Sequence, residues 1–254
     1  MVTPPLYEAR DLRFAYKAAE GGDVEALRDF SFILQPGEFL SVIGPSGCGK
    51  TSLLKLLTGL QRPGSGELLC RGQSFDKTPA DIGMAFQDSL LLPWRNVIDN
   101  VLLPIEILKR SRTEYLGKAR DLLATVGLSG FEEKDPWQLS GGMRQRVSLC
   151  RALITDPSVL LLDEPFAALD AFTREDLWLV LQELHQKIRS TMVLITHQIN
   201  EAVFLSDRVI VLSARPGRVV HDQEITLPKP RGRDILYTPD FIRLVEILRH
   251  KIER

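Results

Sequence analysis

Two rhythms of apolar and polar positions alternate along the chain. Short apolar runs bounded by turn residues predict strands at Leu12–Tyr16 and Phe30–Leu34, around a polar segment containing Gly21 and Gly22, and at Phe39–Ile43. A helix is expected over Ser52–Leu57, then a turn at Pro63–Gly66 and strands at Glu67–Cys70 and Ile82–Phe86. From residue 89 to 155 the rhythm becomes helical. One helix is predicted over Thr113–Val126, and Met143, Val147, Cys150 and Ile154 mark the apolar stripe of another. Strand and helix then alternate again: Val159–Leu162, a helix with Leu177, Val180, Leu184 and Ile188 on one face, Met192–Ile195 and Val209–Leu212. This order predicts an α/β core around a largely parallel sheet, with a small β region before it and a helical insertion within it. The segment His221–Arg254, carrying Pro228, Pro230 and Pro239, leaves room for one last helix from Asp240.

Composition narrows the class rather than the function. A 254-residue chain that is 44% hydrophobic and 26% charged can bury a substantial core. With 32 basic against 33 acidic residues, the formal charge of −1 provides no overall basic field, so coating of nucleic acid is not expected. Cys48, Cys70 and Cys150 are odd in number and lack metal-ligand spacing, which reads as reduced thiols in the cytosol. The start Met1–Arg10 lacks a basic stretch followed by an apolar one, and no apolar run approaches the ~18 residues of a membrane span. The expectation is a chain neither secreted nor embedded in a membrane by itself.

The chemistry begins at Gly44-Pro45-Ser46-Gly47-Cys48-Gly49-Lys50-Thr51, set between an apolar run and a helix. A loop of this spacing can turn its backbone N–H groups toward one polyphosphate. Glycines at 44, 47 and 49 allow backbone angles closed to other residues. The helix that follows offers its unpaired amides and positive dipole end; Lys50 can reach β and γ phosphates, and the Thr51 hydroxyl can join a Mg²⁺ shell. A nucleoside triphosphate is therefore the expected ligand. Cys48 lies inside the loop, so alkylation there is expected to block nucleotide sterically.

Val159-Leu160-Leu161-Leu162-Asp163-Glu164-Pro165 adds two acids at the carboxyl end of a buried strand, where ligands bind in open α/β sheets. Asp163 is suited to hold Mg²⁺ beside Thr51, and Glu164 to orient or deprotonate a water attacking the γ phosphate. Leu139-Ser140-Gly141-Gly142-Met143 then places a capping serine and two glycines at a helix start, leaving its amides uncovered. Glycines there cost roughly 1 kcal/mol each against alanine, which favours function over packing. A second phosphate-grade helix end suggests that Ser140 and its neighbours close over ATP held by another copy of the molecule.

The complete order of these motifs resembles an ATP-binding cassette ATPase of a membrane transporter, over nearly the whole chain. The resemblance implies one ABC ATPase domain over 1–254, a P-loop NTPase (RecA-like) fold with an N-terminal antiparallel β region. Residues 1–88 and 156–254 would form its α/β catalytic core, and 89–155 a helical subdomain with the signature motif. It implies ATP and Mg²⁺ as cofactors. Glu164, the switch histidine His197, Lys50 and Gln87 would be catalytic. Nucleotide contacts would come from Tyr16 on adenine (with Phe14 as a neighbouring candidate), from Gly44, Pro45, Ser46, Gly47, Cys48, Gly49, Lys50, Thr51 and Ser52, and from Gln87, Ser140, Gly141, Gly142 and Asp170 of the aspartate turn. Thr51, Gln87 and Asp163 would face the metal.

Leu90-Leu91-Leu92-Pro93-Trp94, Asp163–Phe166, Asp170–Arg174 and Arg215-Pro216-Gly217-Arg218 are similar to the importer group handling nitrate, sulfonates, taurine and bicarbonate. Gln198, where relatives often carry an acid, and Ala167-Ala168 before Leu169 depart from the pattern without removing a catalytic group. The implied partners are a second copy or a paralogous ATPase subunit around two ATP, integral-membrane permease subunits, and indirectly a periplasmic or lipid-anchored solute-binding protein. No nucleic acid is implied, and the chain would sit peripherally on the cytoplasmic face of the inner membrane. The apolar stretch Gln87–Trp94 is expected to receive a short permease helix, unless it packs inside the helical subdomain. The competing reading is a cassette ATPase of DNA repair or ribosomes, a class that usually carries two cassettes or long coiled coils. A small-molecule kinase with the same loop would not need Ser140–Gly142 or His197.

Overall fold

The computed structural model describes residues 4–17, 22–74, 81–188 and 190–253. Gly21 of the polar segment and residues 1–3 lie outside the described residues. The chain divides into two compact units, Met1–Ala80 with Thr191–Arg254, and Asp81–Ser190. In chain order the first unit begins with β1 (Tyr7–Tyr16), β2 (Val24–Leu34), β3 (Phe39–Ile43), α1 (Lys50–Leu57), β4 (Ser65–Cys70) and β5 (Gln73–Ser74). The second contains β6 (Ile82–Ala85), α2 (Val97–Ile107), α3 (Arg112–Thr125), α4 (Gly141–Leu153), β7 (Val159–Asp163) and α5 (Ala171–Ile188). The first then resumes with β8 (Thr191–Thr196), α6 (Ile199–Leu205), β9 (Arg208–Leu212), β10 (Val219–Glu224) and α7 (Pro239–Ile252).

The N-terminal β region is an antiparallel sheet in the order β2-β1-β4-β5. Both β1 and β2 exceed their expected lengths. Alternation in β1 fails once, at the exposed pair Arg10-Asp11, where the register against β2 shifts and Asp11 takes φ 48°. A bulge of this kind continues a strand while breaking its period of two. Gly66 of β4 accommodates it: φ is +82°, and a Cβ there would sit 2.4 Å from the Asp11 carbonyl oxygen.

In the first unit β3 runs parallel to both β8 and β9. All five β3 residues and all six of β8 are buried, which explains their near-continuous apolar character. Ser41, the polar exception in β3, bonds the Ser206 hydroxyl in the same interior. The strand β10, absent from the sequence expectation, pairs antiparallel with β9. Its polar run His221-Asp222-Gln223-Glu224 suits a sheet edge rather than a core.

In the second unit β6 and β7 are parallel, and α4 packs so close to β6 that a Cβ on Gly83 would lie 2.2 Å from the Ala152 carbonyl oxygen. Val147, Cys150 and Ile154 of the expected stripe are fully buried, while Met143 is half-buried. Burial in α5 falls on Leu177, Trp178, Leu181, Gln182 and Leu184, so Val180 and Ile188 belong to its flank. The long Trp178 and Leu181 turn the buried stripe away from the face read from sequence. Among the described residues no helix is long and apolar enough to cross a membrane.

A buried cation helps to tie down the C-terminal segment. Arg231, almost fully buried, donates through Nη1 to the carbonyls of Val203 (2.8 Å), Phe204 (2.9 Å) and Ser206 (2.8 Å), and through Nη2 to Leu227 (3.0 Å). These include the last carbonyls of α6, which helix geometry leaves without partners, and the charge sits at the negative end of the helix dipole. Burial pulls the guanidinium pKa down to about 10, with the charge of Asp207 opposing, so it remains protonated at neutral pH. Arg231→Met keeps the apolar stem and leaves those carbonyls buried and unpaired. The expected loss is about 2–4 kcal/mol in urea unfolding; an unchanged midpoint would show that the tail is not held this way.

Candidate active site

The phosphate-binding loop lies in the first unit and joins β3 to α1. Gly49, the residue preceding α1, has φ 107°, and a Cβ there would stand 2.5 Å from the Ala26 carbonyl oxygen of β2. Gly47 has φ +73°. No side chain caps α1 and no acid occupies its first turn, so the amides at its start are left to an anion. The Lys50 ammonium is folded over the loop, donating to the carbonyls of Gly44 (2.9 Å) and Pro45 (3.0 Å). Thr51 is exposed, whereas Ser52 is buried and pairs its hydroxyl with that of Tyr16 at 3.1 Å.

Tyr16 is held at the end of β1 by this contact and by Lys55, whose Nζ lies 3.4 Å from the phenol oxygen and 5.4 Å from the ring centroid. Its ring is 38% exposed, while Phe14 is 5% exposed and meets it edge-on at 4.9 Å. Of these two rings, Tyr16 is the one with a face open to a planar ligand. Cys48 is fully buried, with Sγ 3.9 Å from Lys50 Nζ. Burial pushes its thiol up, partly offset by the Lys50 charge, so the thiolate is scarce and the side chain acts as a small apolar filler. Alkylation at Cys48 is correspondingly disfavoured.

His197 follows the buried strand β8 directly and is exposed. The corner is fixed beneath it: the buried Thr196 hydroxyl bonds the buried Glu201 carboxylate of α6 and accepts from the Gln198 amide at 3.0 Å. Gln198 precedes α6 but makes no side-chain cap. The weaker capping ability of glutamine accounts for that.

In the second unit Asp163 ends β7 and Glu164 follows, both half-buried. Glu164 adopts φ 46°, the left-handed region that a side chain makes costly. Ser140 caps α4 by accepting from the Met143 amide at 3.2 Å. Its two glycines differ. Gly141 is open, but a Cβ on Gly142 would fall 2.4 Å from Thr173 Cγ2, so Gly142 is demanded by packing of α4 against α5 as well. Asp170 accepts from the Thr173 amide (3.0 Å) at the start of α5, and its hydrogen bonds to Thr173 hold the carboxyl below its usual range.

Gln87 is exposed just beyond β6, at the head of a loop whose scaffolding sequence reading missed. Gln145 of α4, buried, donates Nε2 to the Phe86 carbonyl at 2.9 Å. Arg151 donates to the carbonyls of Leu90 (2.8 Å) and Ser89 (2.6 Å). Asn100 of α2, fully buried, accepts from the Leu92 amide (2.7 Å) and donates to the carbonyls of Leu92, Arg95 and Asn96. A lone asparagine on the apolar face Val97, Ile98, Val101, Leu102 was the available signal, because a polar group buried there must find partners. The loop they fix exposes Leu90 and leaves Trp94 75% exposed.

Comparison with known proteins identifies relatives of the whole chain. The family model described as ABC transporter covers residues 27–167. An uncharacterized ABC transporter ATP-binding protein of Methanocaldococcus jannaschii is 46% identical over 84% of this chain and 80% of its own length. The taurine import ATP-binding protein TauB of Escherichia coli is 40% identical over 95% and 96%, and the aliphatic sulfonates import ATP-binding protein SsuB of Bacillus cereus is 41% identical over 86% of each. Among solved structures, a dimeric post-hydrolysis state of the ATP-binding cassette MJ0796 bound to ADP and Pi gives a TM-score of 0.73 at 30% identity, covering 89% of this chain and 99% of that one. The cbiO1 protein of Clostridium perfringens, part of an ABC transporter complex, gives 0.78 at 25% identity over 96% and 95%. With the family model over residues 27–167 and relatives 40–46% identical over 84–95% of its length, the chain belongs to the ABC transporter family and is an ATP-binding, ATP-hydrolysing cassette.

Proposed function

We propose that this cassette drives import of a small anion of the sulfonate or taurine type, with nitrate and bicarbonate in the same chemical class. The observation that carries the reading is the reach of the identity. The family model ends at residue 167, whereas 246 aligned residues, 95% of this chain, relate it to a taurine import protein, so the likeness extends well past that model, through β8 and β10. Two copies, or one copy and a paralogous subunit, would enclose two ATP on the cytoplasmic face of the membrane. Permease subunits would receive the work, and a periplasmic or lipid-anchored binding protein would select the solute.

In this reading Lys50 exchanges its loop carbonyls for β and γ phosphate oxygens, and Tyr16 stacks on adenine. Ser140, Gly141 and Gly142 of the second copy present the start of α4 to the same γ phosphate, and Asp170 supports that closure. Glu164 takes a proton from the water whose oxygen attacks the γ phosphorus as the bond to the β–γ bridging oxygen breaks. His197 and Gln87 hold the γ phosphate and the attacking water by hydrogen bonds. The donor set suits magnesium as companion of the nucleotide: among the described residues no cluster of three or more His, Cys, Asp or Glu could cage a metal, and Mg²⁺ favours phosphate and water oxygens with one or two protein ligands. Thr51, Gln87 and Asp163 would complete its shell, and the ion, when bound, would neutralise charge developing on the phosphate oxygens. Charge-assisted hydrogen bonds are worth about 1.5–3 kcal/mol each, so losing several with the γ phosphate reopens the pair.

The partner surface would be the loop around Trp94. Its exposure weighs against packing of the tryptophan inside its own subdomain, and Asn100, Gln145 and Arg151 make the loop a fixed platform. No observation favours a role on nucleic acid.

Glu164→Gln is expected to lower hydrolysis about 10²–10⁴-fold while ATP binding persists and the closed pair accumulates, as seen by single-turnover assay and light scattering. Glu164→Gly is the contrasting variant. It should be equally inactive yet as stable as the parent or stabler by up to about 1 kcal/mol, because it relieves the left-handed backbone. Undiminished turnover in either would remove Glu164 from the chemistry. Trp94→Ala should leave ATP affinity unchanged and abolish co-purification with the permease; intact assembly and transport would move the docking surface elsewhere.

A further inference from the structure

The turn Ala214–Gly217, between β9 and β10, lies against the phosphate-binding loop in the same unit. Arg215 Nε donates to the Gly47 carbonyl at 2.9 Å, and its Nη2 stands 3.2 Å from where a Cβ on Gly47 would be. Gly217 presses on the next residue: a Cβ there would meet the Cys48 carbonyl oxygen at 2.1 Å. The turn is itself tied to β2, with the Gly217 amide donating to Ala26 (2.9 Å) and the Gly217 carbonyl accepting from the Arg28 amide (3.0 Å). Ala26 is also the residue whose carbonyl excludes a side chain at Gly49.

The consequence falls on one peptide plane. The Gly47–Cys48 unit has its carbonyl held by Arg215 and its N–H directed at the Pro45 carbonyl, 3.3 Å away. Gly47, at φ +73° and without a side chain, cannot hold that plane by its own sterics. A loop that recognises polyphosphate through backbone amides depends on the orientation of each plane, because a rotated peptide presents a carbonyl where an N–H is needed. Arg215 is exposed, and among the described residues neither Nη atom makes a hydrogen bond, so its one polar attachment is to the loop. A cation on the outside of the loop also adds favourable potential for an incoming anion.

We propose that Arg215 is a positioning residue for nucleotide, fixing the Gly47–Cys48 peptide so that the phosphate loop is preset for polyphosphate. The inference rests on the ATPase reading above and deepens it. Because the contact acts on the loop rather than on the transferred phosphoryl group, its loss weakens nucleotide binding in ground and transition states alike. KM then rises with little change in kcat.

The test uses the full-length wild type with Arg215→Ala and Arg215→Lys, titrated calorimetrically with MgADP and MgATP and assayed for steady-state hydrolysis, with thermal melts of the free proteins. Loss of a charge-assisted bond predicts about a tenfold or larger rise in Kd for both nucleotides in Arg215→Ala. The expected companions are a similar rise in KM, kcat within about twofold and a melting temperature close to wild type. Arg215→Lys, which retains a donor and the charge, should recover much of the affinity. Equal affinities in all three proteins overturn the proposal, as does a fall in kcat at constant KM or a loss of affinity matched by a loss of folding in both variants. Failure of the wild type to bind either nucleotide would instead sink the underlying ATPase reading.

Discussion

The orientation of a few backbone amides between Gly44 and Thr51 is the constraint on which the other features converge. An amide array can bind polyphosphate only if its loop is held from outside, since every side chain placed inside would compete with the ligand. The holding is done by β3, which is buried along its full length between the parallel strands β8 and β9 and so fixes where the loop starts. On the far side α1 begins without a capping side chain or an acid, keeping its dipole end available. Between them the loop is closely backed by Ala26, Leu212, Gly217 and Arg215, which leaves glycine as the residue tolerated at 44 and 49.

A comparable logic governs the second unit, where loops are rigidified by buried polar side chains rather than by glycine. Asn100 uses both ends of its amide to satisfy four backbone groups of the 92–96 turn. Leaving a buried group of this kind unpaired would cost about 1–3 kcal/mol, which disfavours other conformations of the loop despite its exposed apolar residues. Glu164 is the opposite case. Its left-handed backbone, taken up directly after the end of β7, is disfavoured by its own side chain.

Much of this was legible in the sequence because the recognition chemistry is local. Gly44–Thr51, Asp163-Glu164 and Ser140–Gly142 are each contiguous, and the parallel strands beside them carry unbroken apolar runs. What escaped was non-local or aperiodic. The bulge at Asp11 hid half of β1, the polar edge strand β10 lacked an apolar signature, and the buried face of α5 turned toward Trp178 and Leu181 rather than Val180. Gly142 is instructive: its cost in a helix argued for function alone, yet Thr173 shows a packing reason that no spacing along the chain reveals. Gln145 and Arg151 were invisible for the same reason, since their partners are backbone carbonyls with no sequence signature, whereas Asn100 left one signal, a polar residue on an apolar helix face.

If recognition resides in the loop amides and Lys50, most of the affinity for nucleotide comes from the phosphates and little from the base. Competition against a fluorescent ATP analogue measures this directly, using magnesium tripolyphosphate in one arm and adenosine in the other. The account predicts that tripolyphosphate displaces the analogue from wild type, loses that ability with Lys50→Ala, and that adenosine competes only weakly. Displacement by adenosine at concentrations where tripolyphosphate has no effect would contradict it.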